Sequence, residues 1–249
     1  MLLLLPPSEG KAVGGDGPPL DLGALSWPTL TGVRRELLDT LQALARADPA
    51  ALQRALGCPA GEVDKDAVLT TAATLPALRR YTGVLYDALS YATLTGPARR
   101  RANESIVVAS ALFGLVRPTD RIPGYRLSGG TALPGTGSLA SRWRPVLEPV
   151  LAARRNLVVD LRSGPYAALA RVPDAVQVRV LRESDGRRTV ISHDNKYTKG
   201  RLARVLCERG ARTAADVADA GAAVADVVEV DGRRVDLVLH GLATGRPRS

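Results

Sequence analysis

The run Ser-Ile-Val-Val-Ala-Ser at residues 105–110 decides the fold class of this chain. Its four central residues are all apolar, and a short continuous apolar run is typical of a strand that is buried on both faces. Residues 2–5, Leu-Leu-Leu-Leu, and residues 157–161, Leu-Val-Val-Asp-Leu, have the same character. We therefore expect a central sheet with helices packed around it.

Helices are predicted between these strands. Leucines recur on one face of residues 32–47, which indicates an amphipathic helix. The next helix has complete boundary signals, because Asp48 can cap it, Pro49 suits its first position and Gly57 can end it. Three further helices are predicted, over residues 76–89, over a stretch after residue 138 that two prolines break or kink, and over residues 198–209.

Two hairpins complete the predicted elements. Residues 176–191 alternate in polarity around an Asp-Gly pair at 185–186, and residues 227–239 do so around another at 231–232. An Asp-Gly pair between alternating segments is the strongest short-range hairpin signal. Since strands and helices alternate irregularly and no linker or repeat is visible, we predict an α/β fold. It forms a single domain over residues 1–249, with a mixed central β-sheet wrapped by helices.

Composition excludes several classes of protein. Apolar residues make up 45% and charged residues 24% of the 249 residues, as in globular proteins. We expect no membrane span, and the apolar start lacks the features of a signal peptide. Cys58 and Cys207 are too few for a disulfide framework, which favours a cytoplasmic location. We find no metal-ligand cluster, no nucleotide-binding loop and no nucleophile elbow, and expect no cofactor.

The net charge of +9 favours a polyanionic partner. An alternative remains open, since only four of the 34 basic residues are lysines and arginine enrichment also follows from a GC-rich genome. Charge alone therefore does not establish nucleic-acid binding.

A glycine hairpin at residues 133–138, Leu-Pro-Gly-Thr-Gly-Ser, is the first candidate binding site. Two glycines permit a left-handed backbone, successive N–H groups can form a concave nest, and a helix N-terminus follows. Such a site binds backbone phosphate without reading sequence, although an ordinary tight turn is the alternative. The candidate phosphate-binding residues here are Gly135, Thr136, Gly137, Ser138, Arg142 and Arg144.

A loop after the strand at residues 105–110 is the second candidate, since functional groups in α/β folds commonly follow buried strands. Arg117 and Arg126 can each form bidentate contacts to phosphate. The alternative is that Arg117 pairs with Asp120 and only holds the loop. Tyr125 lies between them in sequence.

Lysines mark the third candidate, in a chain that otherwise uses arginine. Ser8, Glu9 and Lys11 follow the first strand, while Lys196 and Lys199 lie near a predicted helix start. Lys196 and Lys199 are also candidate contacts to nucleic acid. A carboxylate close to titratable ammonium groups can form an acid/base site, although exposed lysines are more often simply solvated.

The pair His193 and Asp194 also suggests catalysis. We place both on a strand, where neighbouring side chains point to opposite faces, so a catalytic dyad is not expected.

Several of these segments together resemble the YaaA peroxide-stress family. The most specific are residues 112–120, Leu-Phe-Gly-Leu-Val-Arg-Pro-Thr-Asp, and residues 123–127, Pro-Gly-Tyr-Arg-Leu. Residues 6–11, 157–166 and 196–200 add weaker matches. The resemblance implies a sheet-centred fold with a positively charged cleft and a helix-hairpin-helix-like element. It also implies DNA binding and protection from hydrogen peroxide, with no well-established reaction.

The prediction that follows is a peroxide-stress protein that binds double-stranded or distorted DNA, largely through backbone phosphates. The alternative is an enzyme whose pocket gathers residues around a phosphate- or carboxylate-bearing small molecule. The pocket residues would be Ser8, Glu9, Lys11, Arg117, Tyr125 and Lys196.

Two structural features separate these hypotheses. An enclosed pocket with Glu9 and Lys196 favours the enzyme, in which Glu9 should contact Lys11, Lys196 or Lys199. An open basic groove past Gly135 favours DNA. The sequence leaves the oligomeric state open.

Overall fold

A computed structural model describes residues 1–59, 61–184 and 186–240. Asp185 of the predicted hairpin and residues 241–249 of the predicted domain lie outside the described residues. The strands are β1 (Leu2–Leu5), β2 (Leu75–Pro76), β3 (Ile106–Ser110), β4 (Gly114–Val116), β5 (Arg121–Ile122), β6 (Ala132–Leu133), β7 (Gly137–Ser138), β8 (Val158–Asp160), β9 (Val176–Ser184), β10 (Arg187–Thr189), β11 (Val227–Asp231) and β12 (Arg234–His240).

Helices surround the sheet, as the burial of its strands predicts. They are α1 (Thr31–Ala47), α2 (Pro49–Leu56), α3 (Ala77–Arg80), α4 (Val84–Leu89), α5 (Gly96–Ser105), α6 (Leu139–Ala152), α7 (Gly164–Ala167), α8 (Ser192–Arg209) and α9 (Ala214–Gly221). Helix α8 is central among them, because it contacts α4, α5, α9 and strand β9.

The central sheet is mixed, with the order β11-β12-β9-β8-β1-β3-β4 and with β10 paired to β9. Strands β12, β9, β8, β1 and β3 are parallel neighbours, and the remaining pairings are antiparallel. The chain passes from β1 to β3 on one side and then returns to β8 on the other side of β1. Ligands of α/β sheets bind in the crevice that such a reversal opens at the carboxyl ends of the strands.

The three apolar runs form adjacent strands, as their composition predicts. Every residue of β1, β3 and β8 is buried, so side chains on both faces of the sheet are covered. The one charged residue among them, Asp160 in β8, accepts hydrogen bonds from the Arg162 guanidinium at 2.9 and 2.7 Å. This pairing satisfies a carboxylate that burial would otherwise destabilise.

Local boundary signals are confirmed. The Asp48 carboxylate accepts the Ala51 N–H at 2.8 Å, and Gly57 ends α2 with a left-handed φ of 57°. Both predicted hairpins also form, as β9–β10 and β11–β12.

The predicted helix over residues 76–89 is wrong, because the chain leaves the helix between α3 and α4. Tyr81 is extended there and forms an antiparallel bridge with Lys11. Gly83 then adopts a φ of 95°, which few other residues tolerate. Pairing with the loop after β1 thus overrides the local helical pattern.

Helix α8 begins at Ser192 rather than at residue 198, so His193 and Asp194 lie on a helix and not on a strand. The His193 Nδ1 and Asp194 Oδ1 atoms are 3.9 Å apart, which is longer than a hydrogen bond. Asp194 instead pairs with Arg182 at 2.7 Å. The expected absence of a dyad holds, although for a different reason.

The helix-hairpin-helix-like element is not confirmed. The glycine hairpin joins β6 to β7, and α6 follows it directly. The described residues 123–131, which precede the hairpin, contain no helix. Helix α6 itself runs unbroken past Pro145 and Pro149, whose exposure leaves the affected turns accessible to water.

Two helical glycines give a test of this packing. A Cβ atom at Gly200 of α8 would collide with the Leu85 carbonyl oxygen and lie 2.8 Å from Ala88 Cβ, whereas a Cβ at Gly32 of α1 meets nothing within 4 Å. We expect Gly200→Ala to lower the free energy of unfolding by about 2 kcal/mol or more, because the helices must separate. Gly32→Ala should change it by less than about 1 kcal/mol. Chemical denaturation measures both, and equal effects would contradict the close α4–α8 contact.

Candidate functional site

A cavity of about 620 Å³ opens where the loops after β1 and β8 diverge. Its walls also include the start of α4 and one face of α8. The cavity therefore lies at the carboxyl edge of the parallel strands, at the point where the strand order reverses. Among the residues that line it are Ser8, Glu9, Tyr86, Ser163, Lys196 and Lys199.

Lys196 and Lys199 both line this cavity from α8. Residues three apart lie on the same face of a helix, so the two side chains are neighbours. Lys196 is exposed, whereas Lys199 is 8% exposed. The Lys199 Nζ donates to the Arg162 carbonyl oxygen at 3.5 Å, and burial lowers the pKa of this amine to about 8. Lys199, predicted as a DNA contact, thus lies at a buried position that a duplex does not reach.

The loop after β1 is held by its own polar groups. The Ser8 hydroxyl donates to the Gly10 carbonyl oxygen at 2.5 Å and accepts the Thr82 N–H at 3.1 Å. The Glu9 side chain is 71% exposed, and its carboxylate pairs with Arg126 at 3.3 Å. The predicted contact between this carboxylate and a lysine is therefore wrong, because the nearby ammonium of Lys11 is turned toward backbone carbonyls.

Lys11 lies behind the same loop. Its Nζ donates to the carbonyl oxygens of Ser8 and Glu9 at 3.0 and 3.3 Å, and it lies 4.2 Å from the centroid of the Tyr125 ring. Burial lowers the pKa of Lys11 to about 7, and the nearby positive charge of Arg126 adds to the effect. The predicted titratable ammonium is therefore present, but it lies behind the loop and does not line the cavity.

Asp66 is a buried titratable residue close to Lys11 that the sequence analysis missed. It is fully buried, and its Oδ1 accepts the Arg126 N–H at 2.8 Å, while Oδ2 has no hydrogen-bond partner among the described residues. Burial raises the pKa of Asp66 to about 7, and Lys11 is close enough to oppose that rise. In the sequence Asp66 stands in a charged segment, Asp-Lys-Asp, that predicts an exposed turn, so no local signal identifies it.

Tyr125 belongs to a buried chain of hydroxyl groups at the end of β3. Its hydroxyl lies 2.8 Å from Ser110 Oγ and 2.9 Å from the Tyr81 hydroxyl. Burial raises the pKa of both tyrosines, which therefore stay protonated near neutral pH. Tyr81 stacks on Tyr86, which lines the cavity, so this network supports the cavity from the core.

Arg117 holds its own loop. Its N–H donates to the Asp120 carboxylate at 2.9 Å, and its guanidinium donates to the Glu104 carbonyl oxygen at 3.2 Å. The guanidinium carbon also lies 5.0 Å from the centroid of a Trp27 ring. The geometry therefore agrees with the alternative in which Arg117 and Asp120 stabilise the loop. The donor to the Asp120 carboxylate is the backbone N–H of Arg117.

The glycine hairpin has the predicted backbone. Gly135 and Gly137 have φ angles of 76° and 72°, and both are exposed. The Thr136 N–H, however, donates to the Leu133 carbonyl oxygen at 3.2 Å, and Ser138 caps α6 by accepting the Ser141 N–H at 3.2 Å. Part of the expected nest is thus already used within the chain.

The two arginines beyond the hairpin also make internal contacts. Arg142 donates to the Thr136 carbonyl oxygen at 2.9 Å and pairs with Glu36 at 3.3 Å. Arg144 donates to the Ala168 carbonyl oxygen at 2.9 Å. A carboxylate next to Arg142 reduces the positive potential that a phosphate would meet there.

Within residues 1–59, 61–184 and 186–240, no cluster of three or more His, Cys, Asp or Glu side chains is arranged to hold a metal ion. No helix there combines the length and apolar character that crossing a membrane requires.

Asp66 gives a testable pH dependence. An unfolded chain ionises this carboxyl near pH 3.8, whereas the folded protein keeps it protonated up to about pH 7, so stability should fall as pH rises between these values. At about 1.4 kcal/mol per pKa unit, the fall due to this group amounts to about 4 kcal/mol. Asp66→Asn cannot ionise and should flatten this part of the profile. Chemical denaturation from pH 4 to 8 measures the free energy of unfolding of both proteins. Asp64→Asn, a change at an exposed carboxylate, is the control. Parallel wild-type and Asp66→Asn profiles would contradict the buried carboxyl.

Comparison with known proteins agrees with the sequence resemblance. The chain is 47% identical over 249 residues to the UPF0246 protein CE1889 of Corynebacterium efficiens, an alignment that covers 96% of this chain and 99% of that protein. It is 48% identical over 220 residues to the UPF0246 protein SCO2297 of Streptomyces coelicolor, with 84% of each chain covered. The family model described as peroxide stress protein YaaA matches residues 1–223. The chain therefore belongs to the peroxide stress protein YaaA family.

Proposed function

We propose that this protein is an enzyme of the peroxide-stress response that acts on a small molecule bearing a phosphate or carboxylate group. The observation that carries the proposal is the placement of Lys196 and Lys199 on one cavity at the strand reversal. The family to which the chain belongs supports the stress-related role. Cys58 and Cys207 are both buried and free, which agrees with a reducing cytoplasm.

The size and lining of the cavity suit a small molecule. A volume of about 620 Å³ falls within the range that is typical of small-molecule sites. Pro6, Leu85 and Leu161 supply apolar wall, while Ser163 and Asn195 supply polar groups. Small-molecule sites commonly orient their ligand with a small number of polar groups on a largely apolar wall.

The charges around the cavity favour an anion. Lys196 and Lys199 contribute positive charge, and the Glu9 carboxylate is paired with Arg126. An exposed ammonium such as that of Lys196 forms charge-assisted hydrogen bonds with phosphate or carboxylate oxygens. We therefore assign Lys196 to binding of the anionic group.

The test compares Lys196→Ala with Lys65→Ala. Lys65 pairs with Glu62 at 2.8 Å and does not line the cavity. Lys65→Ala therefore removes one positive charge, as Lys196→Ala does, but leaves the cavity lining unchanged. Calorimetric titration with sugar phosphates, nucleoside monophosphates and 2-oxo acids should find a ligand that binds wild type and the Lys65 variant equally. Lys196→Ala should bind it about tenfold more weakly, as expected for loss of one charge-assisted hydrogen bond. A ligand that binds all three proteins equally would contradict the site.

A second candidate function is binding of double-stranded or distorted DNA through its phosphates. The exposed hairpin with two left-handed glycines and the net charge of +9 support it. A further cavity of about 670 Å³ has several arginines in its lining, namely Arg154, Arg155, Arg171, Arg212 and Arg233. In this proposal the hairpin and a basic surface bind the backbone, with Arg142, Arg144, Arg117, Arg126 and Lys196 as the candidate side chains.

The DNA hypothesis predicts a steep dependence on salt. Each neutralised phosphate contributes about −0.9 to the slope of log K against log salt, so about five contacts give a slope near −4.5. Arg142→Ala and Arg144→Ala should each flatten this slope by about one unit for every duplex sequence. Duplex affinity measured from about 50 to 200 mM salt tests this. A shallow slope that neither variant changes would argue against the hairpin as the contact.

A further inference from the structure

We propose that Lys199 is the reactive amine of the cavity and forms an imine with the carbonyl carbon of a small acid. The substrate class is an aldehyde or ketone that also bears a phosphate or carboxylate. This inference rests on the proposed small-molecule function of the same cavity and specifies its chemistry.

The surroundings of Lys199 favour a neutral amine. The side chain is buried, and among the described residues its Nζ makes one hydrogen bond, at 3.5 Å to the Arg162 carbonyl oxygen. A charged ammonium has three donors to satisfy, so burial with one long hydrogen bond disfavours the charged form. The buried carboxylate of Asp160, whose negative charge acts on Lys199, is already engaged by the Arg162 guanidinium at 2.9 and 2.7 Å.

The position of this amine is fixed by packing. Gly200 follows Lys199 directly, and its missing side chain allows α8 to approach Leu85 and Ala88 of α4. The start of α4 is itself a wall of the cavity. Lys199 is therefore on a rigid helix rather than on a loop, as a reactive group that must meet a substrate carbon requires.

Lys196 explains why the substrate should carry a second group. It lies on the same helical face, three residues before Lys199, and is exposed where Lys199 is buried. An anionic group bound by the ammonium of Lys196 would direct the other end of a short molecule toward Lys199. The spacing of the two lysines thus selects a small acid with a carbonyl group a few bonds from the anion.

The reaction balances without a further reagent. The lone pair of the neutral Lys199 nitrogen attacks the carbonyl carbon, and the carbon–oxygen double bond becomes a hydroxyl group. The two protons of the amine and the carbonyl oxygen leave as water, and a carbon–nitrogen double bond remains. Nothing is oxidised or reduced. Such imines are the usual covalent chemistry of buried lysines with depressed basicity.

Reductive trapping tests the inference with defined probes. The full-length protein is incubated at pH 7 with pyridoxal 5′-phosphate or glyoxylate, each of which carries a carbonyl and an anionic group. Borohydride then reduces any imine to a stable amine, and peptide mass spectrometry locates the label. The chain has four lysines, at positions 11, 65, 196 and 199, so the assignment is unambiguous.

We expect the label at Lys199 to exceed that at exposed Lys196 and at Lys65 by about tenfold or more, because burial with one long hydrogen bond favours the neutral, nucleophilic form of the Lys199 amine. Lys199→Met, which fits an apolar environment, should lose the label, while Lys196→Ala should retain it at higher probe concentration. Equal labelling of all lysines, or label confined to Lys11, would overturn the proposal.

Binding without reduction separates this inference from the proposed function. If the probes bind saturably and Lys196→Ala weakens that binding, but Lys199 carries no label after reduction, the imine is overturned and the anion-binding cavity stands. If the probes neither bind nor label the wild-type protein, both are overturned.

Discussion

The backbone pairing of β1 on both of its edges is the interaction on which the rest of the structure depends. The Leu2 N–H donates to the Leu157 carbonyl oxygen at 2.7 Å, and the Leu161 N–H donates to the Leu4 carbonyl oxygen at 2.9 Å. On the other edge β1 pairs in parallel with β3. All four leucines are buried, so no water can replace these bonds. This pairing brings the loops after β1 and β8 to one edge of the sheet and so creates the cavity.

Burial without complete pairing gives this edge its unusual ionisation. Lys11, Asp66 and Lys199 all have a pKa displaced toward neutrality, and loss of hydration is the largest cause for each. Where a buried carboxylate is fully paired, as in Asp160 with Arg162, the pKa is instead lowered. Groups that are buried yet incompletely paired cost stability, and such groups concentrate at functional sites.

Much of the positive charge of this protein stabilises the fold. Arg34 is fully buried and donates to the carbonyl oxygens of Phe113 and Leu115 at 2.9 and 2.8 Å. Arg80 is also buried, and it donates to the Gly14 carbonyl oxygen at 2.8 Å. Guanidinium groups suit this role, because their several donors can satisfy carbonyl groups that strands and helices leave free. Net charge therefore overstates the basic surface that is available to a nucleic acid.

The sequence by itself determined the buried strands, the boundaries of α2, both Asp-Gly hairpins and the left-handed glycines at 135 and 137, because caps, turns and apolar runs act over a few neighbouring residues. Only the tertiary structure decided that Tyr81 breaks a helix and that Asp66 and Lys199 are buried. Each depends on surfaces from distant parts of the chain, such as the bridge to Lys11. The sequence predicted Lys11 after a strand and Lys196 and Lys199 near a helix start, but which of these lysines line the cavity follows from how α8 packs against α4.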